Sequence, residues 1–165
     1  MTKISDYFEE KFFSDEIKPG QETNYLKGVL VDADALVALA KINDSNHTKA
    51  VDLGNKLQKT GAAYCLSPFT VAEAVTVLSY KVSHQAAKKF LKQVRELDIP
   101  VFELPENYKE LPDNWFFKQT KKGISYFDCY NMALLDRYEE QLAAIFSFDL
   151  IYKRNGFTLA SDLKF

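Results

Sequence analysis

The chain has 165 residues, of which 47% are hydrophobic and 14% aromatic, with only six glycines and five prolines. This composition excludes a disordered or low-complexity chain, and the length predicts one domain with a full hydrophobic core. The net charge of −2 argues against a strongly basic nucleic-acid module, and the two cysteines lack the spacing of a structural zinc site.

Residues 1–27 precede the first strong structural signal and are predicted to form an N-terminal extension. Apolar residues near helical spacing behind Ser5 predict a short amphipathic helix over residues 5–14. Acidic residues interrupt this segment where a secretory signal would be apolar, and no apolar stretch reaches about 18 residues, the length of a membrane span. We therefore expect a cytoplasmic protein without membrane contact.

From residue 28 onward, short apolar strands alternate with helices, so residues 28–165 are predicted to form the main domain. The predicted strands cover residues 28–31, 62–66, 100–104 and 142–146, with an edge strand at 157–159. The predicted helices cover residues 35–40, 46–60, 69–81, 83–97, 115–122 and 125–138. This alternation predicts a parallel sheet covered by helices on both faces, with ligands at the carboxyl ends of its strands.

Acidic residues follow two of the predicted strands. Asp32 comes directly after the first strand, where it points to the ligand edge, although an aspartate that caps a helix is the alternative. Asp34 could cap the same helix and is a supporting candidate. Asp149 follows the strand at 142–146 as Asp32 follows the first, although turns are also rich in aspartate.

Two further acidic residues lie on helices. Glu73 has apolar neighbours around its helix, and a buried carboxylate needs a cation, a hydrogen-bond donor or a metal; an ion pair with Lys81 is the alternative. Ser125 and Asp128 match a capping box, which taken alone favours a structural role for Asp128. Because its helix is apolar enough to be a core element, we expect Asp128 at the ligand edge as well.

Four carboxylates drawn to one edge would repel each other unless a cation held them together. Hard divalent ions such as Mg²⁺ and Mn²⁺ prefer carboxylate oxygens, so Asp32, Glu73, Asp128 and Asp149 predict such a site. With only two histidines and no serine or cysteine nucleophile near them, a catalytic triad is unsupported, and no glycine-rich phosphate loop occurs.

Taken in order, four motifs resemble those of PIN-domain proteins, in particular the ribonuclease toxins of VapBC-type toxin–antitoxin pairs. The matching segments are Val29–Leu36, Ser67–Glu73, Ile124–Asp128 and Phe146–Asp149. The resemblance implies a three-layer α/β/α sandwich with a central, mainly parallel sheet, and a Mg²⁺- or Mn²⁺-dependent endoribonuclease. The four acids match the family's acidic cluster, Ser147 matches its Ser or Thr before the last acid, and Asp34 stands where the family often has Asn or Ser.

The resemblance also implies partners: an RNA substrate, a cognate antitoxin and a second copy of the chain in a homodimer. Basic residues near the predicted acids could bind RNA phosphates, although an ordinary solvated surface is the alternative for each. These residues are Lys121 and Lys122, upstream of Asp128, and Lys153 and Arg154, after Asp149. The extension of 27 residues departs from these compact toxins.

Two other functions fit parts of the sequence. Asp32 and Asp34 resemble the Asp-x-Asp motif of haloacid dehalogenase phosphatases, although the residues that follow and the absence of the C-terminal motif argue against that class. A non-catalytic PIN module that binds RNA or a protein partner would have the same fold. The sequence leaves both alternatives open.

Overall fold

A computed structural model describes residues 28–165, so the extension and its predicted helix lie outside the described residues. The elements in chain order are β1 (Gly28–Val31), α1 (Ala33–Ala40), α2 (His47–Lys59), β2 (Tyr64–Leu66), α3 (Thr70–Lys81), α4 (His84–Glu96), α5 (Leu111–Phe117), α6 (Tyr126–Arg137), β3 (Leu142–Phe146) and α7 (Ile151–Arg154). Within this part of the chain no helix has the length and apolar character that crossing a membrane requires.

The sheet places β1 in the centre, between β2 and β3, and both pairings are parallel. Val31 is the partner of Leu66 on one side and of Phe146 on the other. The three strands therefore end level with one another, and the residues that follow them meet at one edge.

Alternation along β1 divides the core into two layers. Val29 and Val31 pack into a cluster with α1 to α4, whereas Leu30 packs into a second cluster with α6, β3 and α7. Successive side chains of a strand point to opposite faces, so a strand buried on both faces is apolar throughout. The predicted three-layer α/β/α arrangement around a parallel sheet is confirmed.

The predictions of full strands at residues 100–104 and 157–159 were wrong. Each segment makes a single parallel bridge, from Val101 to Leu66 and from Leu159 to Ile145. Pro105 and a 3-10 helix end the first segment, and a second 3-10 helix over Ala160–Asp162 ends the other. Each bridge covers part of a sheet edge, which otherwise would expose unpaired backbone groups.

The helix predicted over residues 115–122 lies earlier in the chain, as α5, where Pro112 occupies the first turn. The first helix begins at Ala33, two residues earlier than predicted, and α7 was not predicted. Two other predicted helix ends are confirmed. Gly61 follows α2 with a φ of 69°, a left-handed conformation that favours glycine. The predicted capping box of Ser125 and Asp128 is formed at the start of α6.

Candidate active site

The residue directly after each strand is polar and buried: Asp32 after β1, Ser67 after β2 and Ser147 after β3. Their exposed fractions are 5%, 3% and 2%. Since the strands are parallel and level, these side chains lie side by side at the carboxyl edge. A buried polar row at this edge is where parallel α/β sheets bind ligands.

Asp32 is the centre of a hydrogen-bond network. Its Oδ1 accepts from the Ala33 backbone N–H at 2.8 Å, which caps α1, and from Asn131 Nδ2 at 3.1 Å. Its Oδ2 lies 2.9 Å from Ser147 Oγ and 3.0 Å from the Tyr152 hydroxyl. Asp32 therefore caps α1 and also lies at the carboxyl edge of the sheet, so the cap does not exclude the predicted site role.

Asp128 joins the same network through Tyr152, whose hydroxyl lies 3.2 Å from Asp128 Oδ1. The other carboxylate oxygen, Oδ2, accepts from the backbone N–H of Ser125 at 2.9 Å. The cap therefore uses one oxygen of Asp128 and leaves the other oxygen at the site. The capping box and the site role are compatible.

Asp34 bridges α1 to the segment after β3. Its Oδ2 accepts from the backbone N–H of Phe148 at 2.8 Å and lies 3.2 Å from Ser147 Oγ. Its Oδ1 is buried and has no hydrogen-bond partner among residues 28–165. Asp32, not Asp34, supplies the side-chain cap of α1.

Burial, together with neighbouring charges, raises the pKa of three carboxyls at this edge. Burial raises the pKa of Asp32 to about 7, and the charges of Asp34 and Asp128 add to this effect. The pKa of Glu73 rises to about 7 through burial, with contributions from Asp32 and Asp128. The pKa of Asp34 rises to about 6, chiefly because of burial. The structure thus brings Asp32, Glu73 and Asp128 within electrostatic reach of one another.

The alternative partner proposed for Glu73 was Lys81. In the described chain Lys81 forms no ion pair with Glu73. The same holds for Asp32 and Asp128: none of the ion pairs within residues 28–165 involves either carboxylate. A set of half-buried and buried acids without a protein cation is electrostatically unfavourable unless the acids are protonated or bind a cation from solution.

Asp149 occupies a different environment. Its side chain is 51% exposed, and its Oδ1 accepts from the backbone N–H of Ile151 at 2.8 Å and lies 4.0 Å from Arg154 Nη2. Ser147, not Asp149, follows β3 at the position where Asp32 follows β1. Asp149 nevertheless contributes to the raised pKa of Asp34, so its charge acts on the rim of the site.

The four basic residues proposed for RNA contact are all exposed. Lys121 and Lys122 lie in the loop between α5 and α6. Lys153 pairs with Asp162 at 2.9 Å, and Arg154 lies near Asp149 at the 4.0 Å given above. Two aromatic residues at the start of α6, Tyr126 and Phe127, are 43% and 39% exposed beside Asp128.

The structure resembles the crystal structure of VapC20 from Mycobacterium tuberculosis, which is described as a sarcin-ricin loop cleaving toxin. The TM-score is 0.65 at 19% sequence identity, and the match covers 79% of this chain and 97% of VapC20. The chain has a VapC-like PIN fold. The fold expected from the four motifs is thereby confirmed. The sequence matches none of the protein-family profiles and no curated protein.

The acids of this VapC-like PIN fold fit a hard divalent ion by their chemistry. They offer carboxylate oxygens, burial and neighbouring charges raise the pKa values of Asp32 and Glu73, and the buried Oδ1 of Asp34 has no hydrogen-bond partner in residues 28–165. No three acidic, histidine or cysteine side chains of the described chain converge closely enough to enclose an ion. The acids whose charges act on one another are Asp32, Glu73 and Asp128.

Two polar residues in the hydrogen-bond network of Asp32 were missed by the sequence reasoning: Asn131, which is 2% exposed, and Tyr152, which is fully buried. Asn131 gives a usable signal, because it lies three residues after Asp128 within an apolar run of α6. Tyr152 gives none, since a tyrosine in a helix beside the core usually indicates packing.

Proposed function

We propose that the chain is a Mg²⁺- or Mn²⁺-dependent endoribonuclease that hydrolyses RNA phosphodiester bonds. The observation that carries this proposal is the environment of Asp32. It is buried at the carboxyl edge of the sheet, and its charge and those of Glu73 and Asp128 act on one another without a protein cation in residues 28–165. The likeness of the fold to an RNA-cleaving toxin supports RNA as the substrate.

The chain's own residues would prepare this site in two ways. Ser147 and Ala33 donate to Asp32 and fix its side chain, while Asp34 fixes the segment after β3 through the Phe148 backbone N–H. A bound divalent ion would supply a water of lowered pKa and neutralise charge on the phosphate. In this proposal Asp32, Glu73 and Asp128 hold the ion, and Asp149 adds negative charge at the rim.

RNA would approach across the exposed surface around this edge. Lys121, Lys122 and Arg154 present exposed positive groups, and Lys153 would exchange its ion pair with Asp162 for a phosphate. Tyr126 and Phe127 expose ring surface on which unpaired bases could stack. These contacts would offset the repulsion between the phosphates and the acids.

We further propose a role for the whole chain. Residues 28–165 would form the nuclease domain and residues 1–27 an extension outside it. The chain would act in the cytoplasm as the toxin of a toxin–antitoxin pair, as a homodimer inhibited by a cognate antitoxin. The likeness to VapC20, itself a toxin, supports this role. Co-purification with the product of a small adjacent reading frame, together with light scattering of the purified chain, tests it.

The test of the nuclease proposal is RNA cleavage by the full chain with Mg²⁺ or Mn²⁺, followed on gels with a mixed-sequence RNA. We expect cleavage that EDTA abolishes and that Asp32→Asn and Asp128→Asn lose, because both substitutions remove a charge that would hold the ion. Asp52→Asn, an exposed acid on α2, is the matched control and should cleave normally.

Circular dichroism establishes that the inactive variants are folded. Full activity in both site variants would refute the proposed centre. RNA binding without cleavage at any metal concentration would support the non-catalytic module, and hydrolysis of a phosphomonoester without RNA cleavage would support the phosphatase.

A further inference from the structure

The hydroxyl of Tyr152 is placed between two acids of the site. Tyr152 is fully buried, and its hydroxyl lies 3.0 Å from Asp32 Oδ2 and 3.2 Å from Asp128 Oδ1. It also lies 3.0 Å from Asn131 Nδ2. One hydroxyl therefore connects the acid that follows β1 to the acid at the start of α6.

The available hydrogens fix the direction of these bonds. Asn131 Nδ2 carries two hydrogens, one for Asp32 Oδ1 and one for the Tyr152 oxygen. Because the Tyr152 oxygen accepts from Asn131, its single hydrogen is left for the carboxylates. Asp32 and Asp128 then share one donor, which places a partial positive charge between two negative groups.

Packing does not explain this pair of polar residues. A phenylalanine would fill the space of the Tyr152 ring, which lies in the apolar cluster with Leu30 and Met132. The Oδ1 of Asn131 is buried without a hydrogen-bond partner in the described chain, which costs free energy that a leucine would avoid. The Nδ2 of Asn131 donates to Asp32, and the Tyr152 hydroxyl donates to Asp32 and Asp128, so binding these acids accounts for the two polar groups.

We propose that Tyr152, oriented by Asn131, is a positioning residue that holds Asp32 and Asp128 at the separation at which they share a divalent cation. This inference rests on the proposed metal-dependent function. Asp128 Oδ1 can keep the hydroxyl on one lone pair while its other lone pair faces the ion. On Asp32 Oδ2 the second lone pair becomes free for the ion when Ser147 Oγ turns its single hydrogen to Asp34 Oδ2, which lies 3.2 Å away. Without the hydroxyl, the two acids repel each other, move apart and must be drawn together again when the ion binds.

The test compares two removals of a tyrosine hydroxyl in the full-length protein. Tyr152→Phe removes the shared donor, and Tyr138→Phe is the matched control, because the Tyr138 hydroxyl donates to the Glu103 carbonyl at 2.8 Å and touches neither acid. Mn²⁺ affinity is measured by isothermal titration calorimetry. We expect Tyr152→Phe to weaken Mn²⁺ binding about 10- to 100-fold, the usual effect of losing a residue that orients metal ligands. Tyr138→Phe should bind Mn²⁺ as the wild type does.

RNA cleavage at two Mn²⁺ concentrations separates positioning from a general loss of structure. Tyr152→Phe should cleave slowly at limiting Mn²⁺ and regain most of the wild-type kcat at saturating Mn²⁺. A damaged fold would not be rescued in this way. Asn131→Leu keeps the hydroxyl and removes the group that orients it, so its Mn²⁺ affinity should fall less than that of Tyr152→Phe; this variant carries the test if Tyr152→Phe does not fold.

The outcomes distinguish this inference from the function on which it rests. Wild-type Mn²⁺ affinity in Tyr152→Phe, with normal metal-dependent RNA cleavage by the wild type, would overturn the positioning role and leave the nuclease proposal intact. Unchanged affinity in Asn131→Leu would overturn the orienting role of Asn131. Absence of Mn²⁺ binding by the wild-type chain would overturn both the metal-dependent function and the inference.

Discussion

Asp32 and Asp149 follow strands that end at the same edge of the sheet, yet their surroundings differ. Asp32 is 5% exposed and contacts four donors, whereas the side chain of Asp149 is 51% exposed and lies near Arg154. The distance from the strand's end causes the difference. Asp32 directly follows its strand, while Asp149 lies three residues beyond the last residue of β3. Ser147 directly follows the same β3 and is 2% exposed, so burial at this edge falls with distance from the strand's end.

The largest expected effect is on RNA cleavage, and it tests whether burial separates the roles of the two acids. Asp32→Asn should lower kcat/KM by at least about 100-fold, because it removes a charge at the centre of the proposed metal site. Asp149→Asn should lower it by roughly 10-fold, as expected for an acid that acts from the rim. Steady-state cleavage of a fluorogenic RNA measures both. Equal losses of kcat/KM would show that the exposure of these two acids does not determine their importance for cleavage.

The pH dependence of stability is expected to show a smaller difference between the same variants. Asp32 keeps its proton up to about pH 7 in the folded protein, while the unfolded chain releases it near 3.8. The metal-free folded protein therefore binds more protons between these values, and the contribution of Asp32 to stability is lost as the pH rises toward 7.

At pH 8 in EDTA, Asp32→Asn should therefore have a higher melting temperature than the wild type. We expect a gain of about 2 kcal/mol in the free energy of unfolding, which raises the melting temperature by several degrees. The amide oxygen of the new Asn can still accept from Ala33 and Asn131, and the hydroxyls of Ser147 and Tyr152 have Asp34 and Asp128 as other acceptors. Asp149→Asn should keep the wild-type slope of melting temperature against pH. Calorimetry between pH 5 and 8 checks this, and a lower melting temperature for Asp32→Asn at pH 8 would contradict it.

The smallest expected effect concerns Arg154, beside the exposed acid. Its contact with Asp149 is a surface pair at 4.0 Å, which contributes about 0–1 kcal/mol, so Arg154→Ala should not change the melting temperature measurably. If Arg154 binds a phosphate, the salt dependence of RNA affinity should fall by a slope of about one. Fluorescence anisotropy at several salt concentrations measures this, with Lys49→Ala on α2 as the control. If Arg154→Ala and Lys49→Ala show the same salt dependence of RNA affinity, Arg154 does not bind an RNA phosphate.

The sequence was most informative where an element is buried on both faces. β1 is apolar throughout because both of its faces are covered, and Asp32 stands out at its end. At the sheet edges the same apolar signal predicted two strands where the structure has only single bridges. A few apolar residues beside a sheet do not show how many of them will pair with it. Strand pairing at an edge depends on the neighbouring turns as much as on the segment itself.

The candidate site was only partly predictable for a related reason. The acids could be found because a charged residue in an apolar segment requires a partner. Their unequal burial could not be found, because Asp149 and Asp32 look alike when only the preceding strand is considered. Tyr152 could not be found either, since its ring packs in the core and only its hydroxyl reaches the acids.

The parallel pairing of β1 with β3 joins segments that are far apart in the chain. Asp32, Glu73 and Asp128 are all made before residue 142, whereas Ser147 and Tyr152, which hold Asp32 in place, are made after it. During translation these three acids are therefore synthesised before β3 and before the two residues that orient Asp32. The centre can therefore assemble only after residues 142–152 have been synthesised.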